Sequence, residues 1–458
     1  MLLGACRLKK FDRTRVAFLP VLLLVAAFSL VSCGGASGPT ISKPPSGVTT
    51  RVLASQSVAS PTAFPGLVIV DGEIDVRIRA ASISAGSSPG LMAISPDRQT
   101  VIAFNSAVNS WAAEIVSTPK EAQTGSISLP GPTTSMVALD SGFGYAAVPS
   151  APFEAGPSPG AVVVMNLAFS GGIAATLSVP NAQTIVSSPD GTQLLVFSGE
   201  SEISHAVTVL YPLLVNTGTP ATVTLSGFDS PVYGVFSADG GTAYILNCGP
   251  QCGGTQPSVQ ILNMTTTPPT VGAVIPVNGA TIGFLSGSTL YVAGKGTPTG
   301  PLCASIPSDA STAATYCGTL DLVNLTTMQD PYYNNPATEI AITDGYHDRI
   351  DMSVNGQLFV GSYGCTNVGN VNNPQGEVRG CLSIYNTTNA AVVIPPDNGD
   401  VTGLQSFTTR DVEYVAEGGN LRVYDTLIDS LLPANDYIQT GTIFITGQIV
   451  DVKAIDFF

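Results

Sequence analysis

The sequence predicts an all-β protein, a β-propeller of four-stranded blades, and three observations carry that prediction. A unit recurs about every 48 residues from about residue 50 to the end of the chain. Its clearest copies carry a turn between two short apolar stretches: Ser95-Pro96-Asp97, Ser188-Pro189-Asp190-Gly191 and Ser237-Ala238-Asp239-Gly240. No stretch beyond residue 33 keeps a helical period. A repeat of that length is one sheet, and it buries its faces only against neighbouring copies.

Each unit reads as strands A to D, from the axis outward. Strand A precedes the Ser-Pro-Asp type turn, and strand B follows it, as in Val101–Phe104, Leu194–Phe197, Tyr244–Asn247 and Leu358–Gly361. Proline presets φ, aspartate bonds locally, and glycine accepts a left-handed conformation. Strand C runs into a second polar turn that begins at Asn166, Asn263, Asn324, Asn386 or Asp425. Such a side chain accepts a bond from the backbone two residues on and closes the hairpin to strand D. A-strand turns fall near 95, 140, 188, 237, 286, 353 and 408. An eighth A strand, Val450–Phe457, ends the chain without a B strand. At the other end, Arg51–Ala54, Leu67–Val70 and Val76–Ala81 supply B, C and D alone. The last blade is therefore expected to be closed by both chain ends, which removes exposed sheet edges. The count is eight, with seven as the alternative if a weak unit near 135–180 or 403–447 is not a blade.

Tyr244-Ile245-Leu246-Asn247, Tyr291-Val292-Ala293-Gly294 and Tyr414-Val415-Ala416-Glu417 resemble variants of a Tyr-Val-Thr-Asn repeat. With the Asn-x-Thr and Ser-Pro-Asp-Gly turns, they make residues 50–458 similar to the YVTN-type, lactonase-like bacterial β-propellers. The resemblance implies fold. It offers a lactonase-like enzymatic analogy, but no catalytic residue of that family maps onto a position here.

The first 33 residues read as an address. Arg7, Lys9, Lys10, Arg13 and Arg15 precede an apolar run, Val16–Val31, interrupted by Pro20 and Ser29. This is the layout of a secretory signal. Leu30-Val31-Ser32-Cys33 resembles the bacterial lipobox, which implies cleavage before Cys33 and its lipidation. The competing readings are a signal without lipid or an uncleaved anchor. Gly34 follows, with no aspartate there to mimic inner-membrane retention, so the outer membrane is the expected address. Residues 33–50 read as lipidated cysteine and flexible tether, and 51–458 as one domain. The domain is expected in the periplasm or on the cell surface.

The net charge is −15, and only 11% of residues are charged. Cleaving the leader makes the chain more acidic still. Nucleic acid is excluded as a partner, as is docking on anionic lipid, since both want basic patches. The membrane is therefore expected to be met through the lipid anchor only.

Setting aside Cys6 and Cys33, six cysteines fall as one pair between strands B and C of three consecutive units. The pairs are Cys248 with Cys252, Cys303 with Cys317, and Cys365 with Cys381. In an exported chain, disulfides are the expectation. A zinc site is the rival, but its ligands would sit on separate blades. B–C and D–A loops share one face, so the long loops Lys295–Thr315 and Tyr363–Gly380 mark a candidate recognition surface.

The D–A turns on that face carry Asp229, Asp344, Asp348 and Asp400. His347, Arg349 and Asp351 complete a charged run in one unit. These seven form the candidate channel-mouth site. It reads as an acid/base or oxygen-ligand cluster, or as a polar turn satisfied by its neighbours. No cofactor is expected, and a divalent cation such as calcium is the alternative. With two histidines, a multi-histidine metal site is excluded, and there is no Gly-x-Ser-x-Gly elbow. The expected function is a binding module at the cell envelope, taking a protein, glycan or cell-wall component. The alternative is a hydrolase or isomerase acting on a lactone or sugar derivative. A deep channel lined by His347, Asp348 and acids of other blades favours the enzyme.

Overall fold

The computed structural model describes residues 44–57, 65–107, 110–152, 159–168, 171–199, 205–212, 221–296, 317–335, 337–365, 381–395, 399–431 and 449–456. Among them, strands form eight four-stranded antiparallel sheets. The innermost strands are Pro89–Ile94, Ser135–Ala138, Thr184–Ser187, Pro231–Phe236, Ile282–Ser286, Tyr346–Met352, Val401–Ser406 and Ile449–Ala454, strands A of blades 1 to 8. Each packs against the next, and the eighth packs against the first, so the ring is closed. The count is eight, and the two weakest units in sequence are complete blades. No helix among the described residues is long and apolar enough to cross a membrane.

Blade 8 is shared by the two ends of the domain. Ile449–Ala454 pairs with Arg51–Gln56, which is followed outward by Gly66–Asp71 and Val76–Ile83. Its register sets Val52 opposite Ala454 and Leu53 opposite Lys453. Residues 44–50, expected in the tether, already pack on the disc. Ser46 Oγ donates to Glu121 at 2.6 Å, and Val48 and Thr50 are buried.

The turn chemistry is as expected. Ser95, Ser188 and Ser237 each donate to the aspartate two residues on, at 2.6, 2.7 and 2.6 Å. Each serine oxygen also accepts the backbone N–H that opens strand B, from Thr100, Gln193 or Thr242. Gly191 and Gly240 take φ of 67° and 69°. In the first copy Arg98 holds the equivalent left-handed conformation at 56°, a place glycine fills with less strain. Asn166, Asn263, Asn324, Asn386 and Asp425 all accept the backbone N–H two residues on.

The core lies between blades. Strands B and C present apolar residues to both sides, so Leu194–Phe197 and Val162–Met165 are buried throughout. Burying a side chain of this size contributes about 1.5–3 kcal/mol. The sandwich of blade on blade therefore holds the ring, and it leaves only strand A facing the axis.

Candidate functional site

Strand A is the only strand that faces the channel, and it does not alternate evenly. In blade 6, His347 pairs with Ser362 and Arg349 with Gly361, which leaves Asp348 as the extra residue of a β-bulge. Bulges interrupt the same end of strand A in blades 1, 4, 7 and 8, between Pro89 and Met92, Pro231 and Tyr233, Val401 and Gly403, and Ile449 and Asp451. A bulge breaks the two-residue alternation and re-aims the side chains on either side of it. All five lie toward the face of the B–C and D–A loops.

The consequence is clearest at the charged run. His347 is fully buried and sits between blades 5 and 6 against Gly318. Its Nε2–H donates to the Thr343 carbonyl at 2.8 Å, and Nδ1 has no partner among the described residues. Burial pulls its pKa down to about 4, against the smaller opposing effect of the Thr343 bond. The expectation that His347 stands at the channel mouth is therefore corrected: the bulge and Gly318 turn it into the blade interface.

Asp348 and Arg349 do line the channel, in a cavity of about 910 Å³. They pair with each other at 2.9 Å. Arg349 Nε also donates to the Thr402 carbonyl at 2.7 Å, at the bulge of blade 7. Burial raises the Asp348 carboxyl above its usual range, and the Arg349 charge offsets only part of that. Asp348 Oδ1 is left without a partner among the described residues.

The other members of the predicted cluster are used elsewhere. Asp229 accepts bonds from Thr255 and Gln256 in the B–C loop of its own blade. Burial raises its carboxyl, but those bonds outweigh it and hold the net value below the usual range. Asp400 accepts the Gly364 N–H at 2.8 Å. Asp344 is buried, with its carbonyl accepting from Ser362. Asp351 lies toward the other face and accepts the Ser406 N–H of blade 7 at 2.8 Å. The seven do not converge, and among the described residues no three His, Cys, Asp or Glu side chains group as metal ligands.

Sequence reading missed the aromatic part of the mouth. Tyr346 and Tyr363 face each other across strands A and B of blade 6, with ring centroids 5.4 Å apart. Tyr233 of blade 4 lines the same cavity. Burial raises its phenol, and the Arg349 charge opposes that, which places the two in electrostatic reach. Lys453 of blade 8 also lines the cavity, 3.1 Å from Asp451. Asp451 in turn accepts the Met92 N–H at the bulge of blade 1. The signal available in sequence was the position of Tyr346 and Tyr363 at the ends of predicted strands A and B, next to the charged run.

Two disulfides support this rim. Cys248–Cys252 closes a short 3-10 turn, Gly249–Cys252, and packs with Val232 against Tyr233 and Tyr346. Cys365–Cys381 joins the ends of the loop that follows Tyr363. Cys33, Cys303 and most of the two long B–C loops lie outside the described residues.

No family model and no curated protein matches the chain. Solved structures do. Dihydro-heme d1 dehydrogenase NirN, solved in complex with DHE, is 14% identical over 85% of this chain and 74% of its own, with a TM-score of 0.54. Hydrazine synthase of Kuenenia stuttgartiensis is 16% identical over 74% and 96%, with a TM-score of 0.50. The periplasmic gluconolactonase PpgL of Pseudomonas aeruginosa is 14% identical over 88% and 98%, with a TM-score of 0.46. The likeness is one of fold. At such identities, chemistry has to be argued from the site.

Proposed function

We propose that this protein is an exported, lipid-anchored propeller that binds a glycan of the cell envelope at the tyrosine-lined channel mouth. The observation that carries the reading is the adjacency of Tyr346 and Tyr363 to the Asp348–Arg349 pair in one cavity. A sugar ring offers an apolar C–H face, which an aromatic ring covers, and hydroxyls, which a carboxylate accepts and a guanidinium contacts. A concave site with a few fixed polar groups is how small ligands are held. The unpartnered Asp348 Oδ1 supplies an acceptor for a hydroxyl. The lipobox at Leu30–Cys33 supports the anchor and the outer-membrane address, and the disulfides fit an oxidising compartment.

A second reading is a hydrolase acting on a lactone or sugar derivative, with Asp348 as general acid. It is favoured by the raised Asp348 carboxyl beside Arg349, and by the repeat resemblance to lactonase-like propellers. Calorimetric titration with envelope-derived oligosaccharides tests the first reading. Binding that the Tyr363→Ala variant loses supports it, and no binding to any of them overturns it. Turnover of a sugar lactone that Asp348→Asn abolishes supports the second.

A further inference from the structure

Among the described residues, the exposed apolar side chains of the turns fall on one face of the disc. Strand A runs away from the D–A loops, so A–B and C–D turns share the face opposite the tyrosine mouth. On that face Met328 of blade 5 is 41% exposed, Val354 of blade 6 54%, Leu427 and Ile428 of blade 7 62% and 67%, and Ile74 of blade 8 64%. They come from four consecutive blades. Single exposed apolar residues are ordinary, but a run of them along one rim marks a contact surface.

The chain enters the disc at the same place. Arg51 opens strand B of blade 8 at its A–B end. Just before it, the Thr50 carbonyl accepts the Gly72 N–H of the turn that carries Ile74. Ser46 reaches Glu121, in the C–D turn of blade 1. Only residues 34–43 separate Pro44 from Cys33. A fully extended chain of that length reaches roughly 40 Å, and a compact one much less. The described chain thus begins on this face, near the turn that carries Ile74, and a lipid on Cys33 draws that side toward the bilayer.

We infer that the A–B and C–D turn face of blades 5 to 8 rests on the bilayer, with the apolar turn tips in the lipid interface. This rests on the lipid-anchor reading of Cys33. The acidic chain gains nothing from anionic lipid, so the contact is apolar and the anchor supplies proximity. The tyrosine mouth then opens away from the membrane, roughly 20 Å further out across a six-residue strand.

The single tryptophan provides the test. Trp111 lies between strands B and C of blade 1, on the mouth face. Mature full-length protein purified from membranes is reconstituted into phosphatidylcholine vesicles with brominated acyl chains, floated, and its emission read. The wild-type Trp111 signal is expected to be unchanged by bromine. In the Leu427→Trp variant the added emission is expected to fall by roughly half, as for a side chain about 5–10 Å into the interface. Floated protein whose Leu427→Trp emission is unquenched overturns the orientation and leaves the anchor standing. Quenching of Trp111 means the reverse face and overturns it too. Protein that does not float overturns the anchor reading, and this inference with it.

Discussion

The guanidinium of Arg51 forks onto the carboxylate of Asp456, Nε to Oδ2 at 2.8 Å and Nη2 to Oδ1 at 2.7 Å. Arg51 is 7% exposed and Asp456 17%. The pair ties the start of the propeller to its end. The same guanidinium donates to the Thr118 carbonyl at 2.6 Å and to Glu121 at 3.0 Å, and so reaches blade 1. Closure of the ring thus has a covalently distant but local clasp beside its strand pairing.

Removing that clasp leaves buried charges unpaired. Arg51→Ala is expected to lower stability by about 3–5 kcal/mol, because Asp456 and Glu121 both lose the guanidinium while keeping only backbone or Ser46 donors. Urea unfolding of Arg51→Ala, Asp456→Ala and the double variant checks this. The double variant is expected to cost less than the sum of the singles.

Gly318 is required by His347. A Cβ at 318 would lie 1.9 Å from the Thr343 carbonyl oxygen and 2.8 Å from His347 Cε1. The obstacle is backbone, which cannot rotate away. Gly318→Ala is expected to cost about 1–3 kcal/mol or more, read as a lowered urea midpoint. A variant as stable as wild type would show that blades 5 and 6 can separate freely.

Two buried groups give the stability opposite slopes with pH. His347 takes a proton near 6.5 when unfolded and near 4 when folded. Its contribution is complete above about 6.5 and is lost as pH falls toward 4, by about 3 kcal/mol. His347→Gln keeps an N–H for Thr343 without titrating, so its stability relative to wild type should improve steadily over that window. Glu413 is fully buried, and burial raises its pKa well above the usual value, with Asp351 adding to it. Its contribution is complete below the ordinary carboxyl range and shrinks as pH rises. Glu413→Gln should therefore gain on wild type as pH increases. Denaturant midpoints across pH check both.

Opening the disulfides should loosen the rim unequally. Cys365–Cys381 spans a separation of 16 residues and Cys248–Cys252 one of 4. Loop-closure entropy makes the longer one worth about 3 kcal/mol and the shorter one less. The paired change Cys365→Ser with Cys381→Ser is expected to lower the thermal midpoint more than the paired change Cys248→Ser with Cys252→Ser. It should also weaken any ligand that contacts Tyr363.

Much of the architecture was legible because its signals are local or periodic. Ser188 and Asp190 meet within one turn, and Asn263 meets the Thr265 N–H within another. The orphan strands read at 51–81 and 450–457 could only complete one another. The site was less legible. Of the seven residues read as a channel-mouth cluster, Asp348 and Arg349 reach the cavity, while Asp229 and Asp400 serve their own loops. Charge density along a chain reports solvent and turn chemistry as readily as it reports a site.

By itself, then, the sequence determined the repeat, the closure of blade 8 by both ends, the turn chemistry and the pairing of Cys248 with Cys252 and of Cys365 with Cys381. Each depends on residues close in the chain or on strict periodicity. The tertiary structure decided where side chains point. A single bulge at Asp348 breaks the alternation of strand A, and a glycine in the neighbouring blade makes room for His347. Neither register nor the shape of an adjacent blade is written in the local sequence. For that reason the histidine went into the interface, and the tyrosines, with Asp348 and Arg349, hold the mouth.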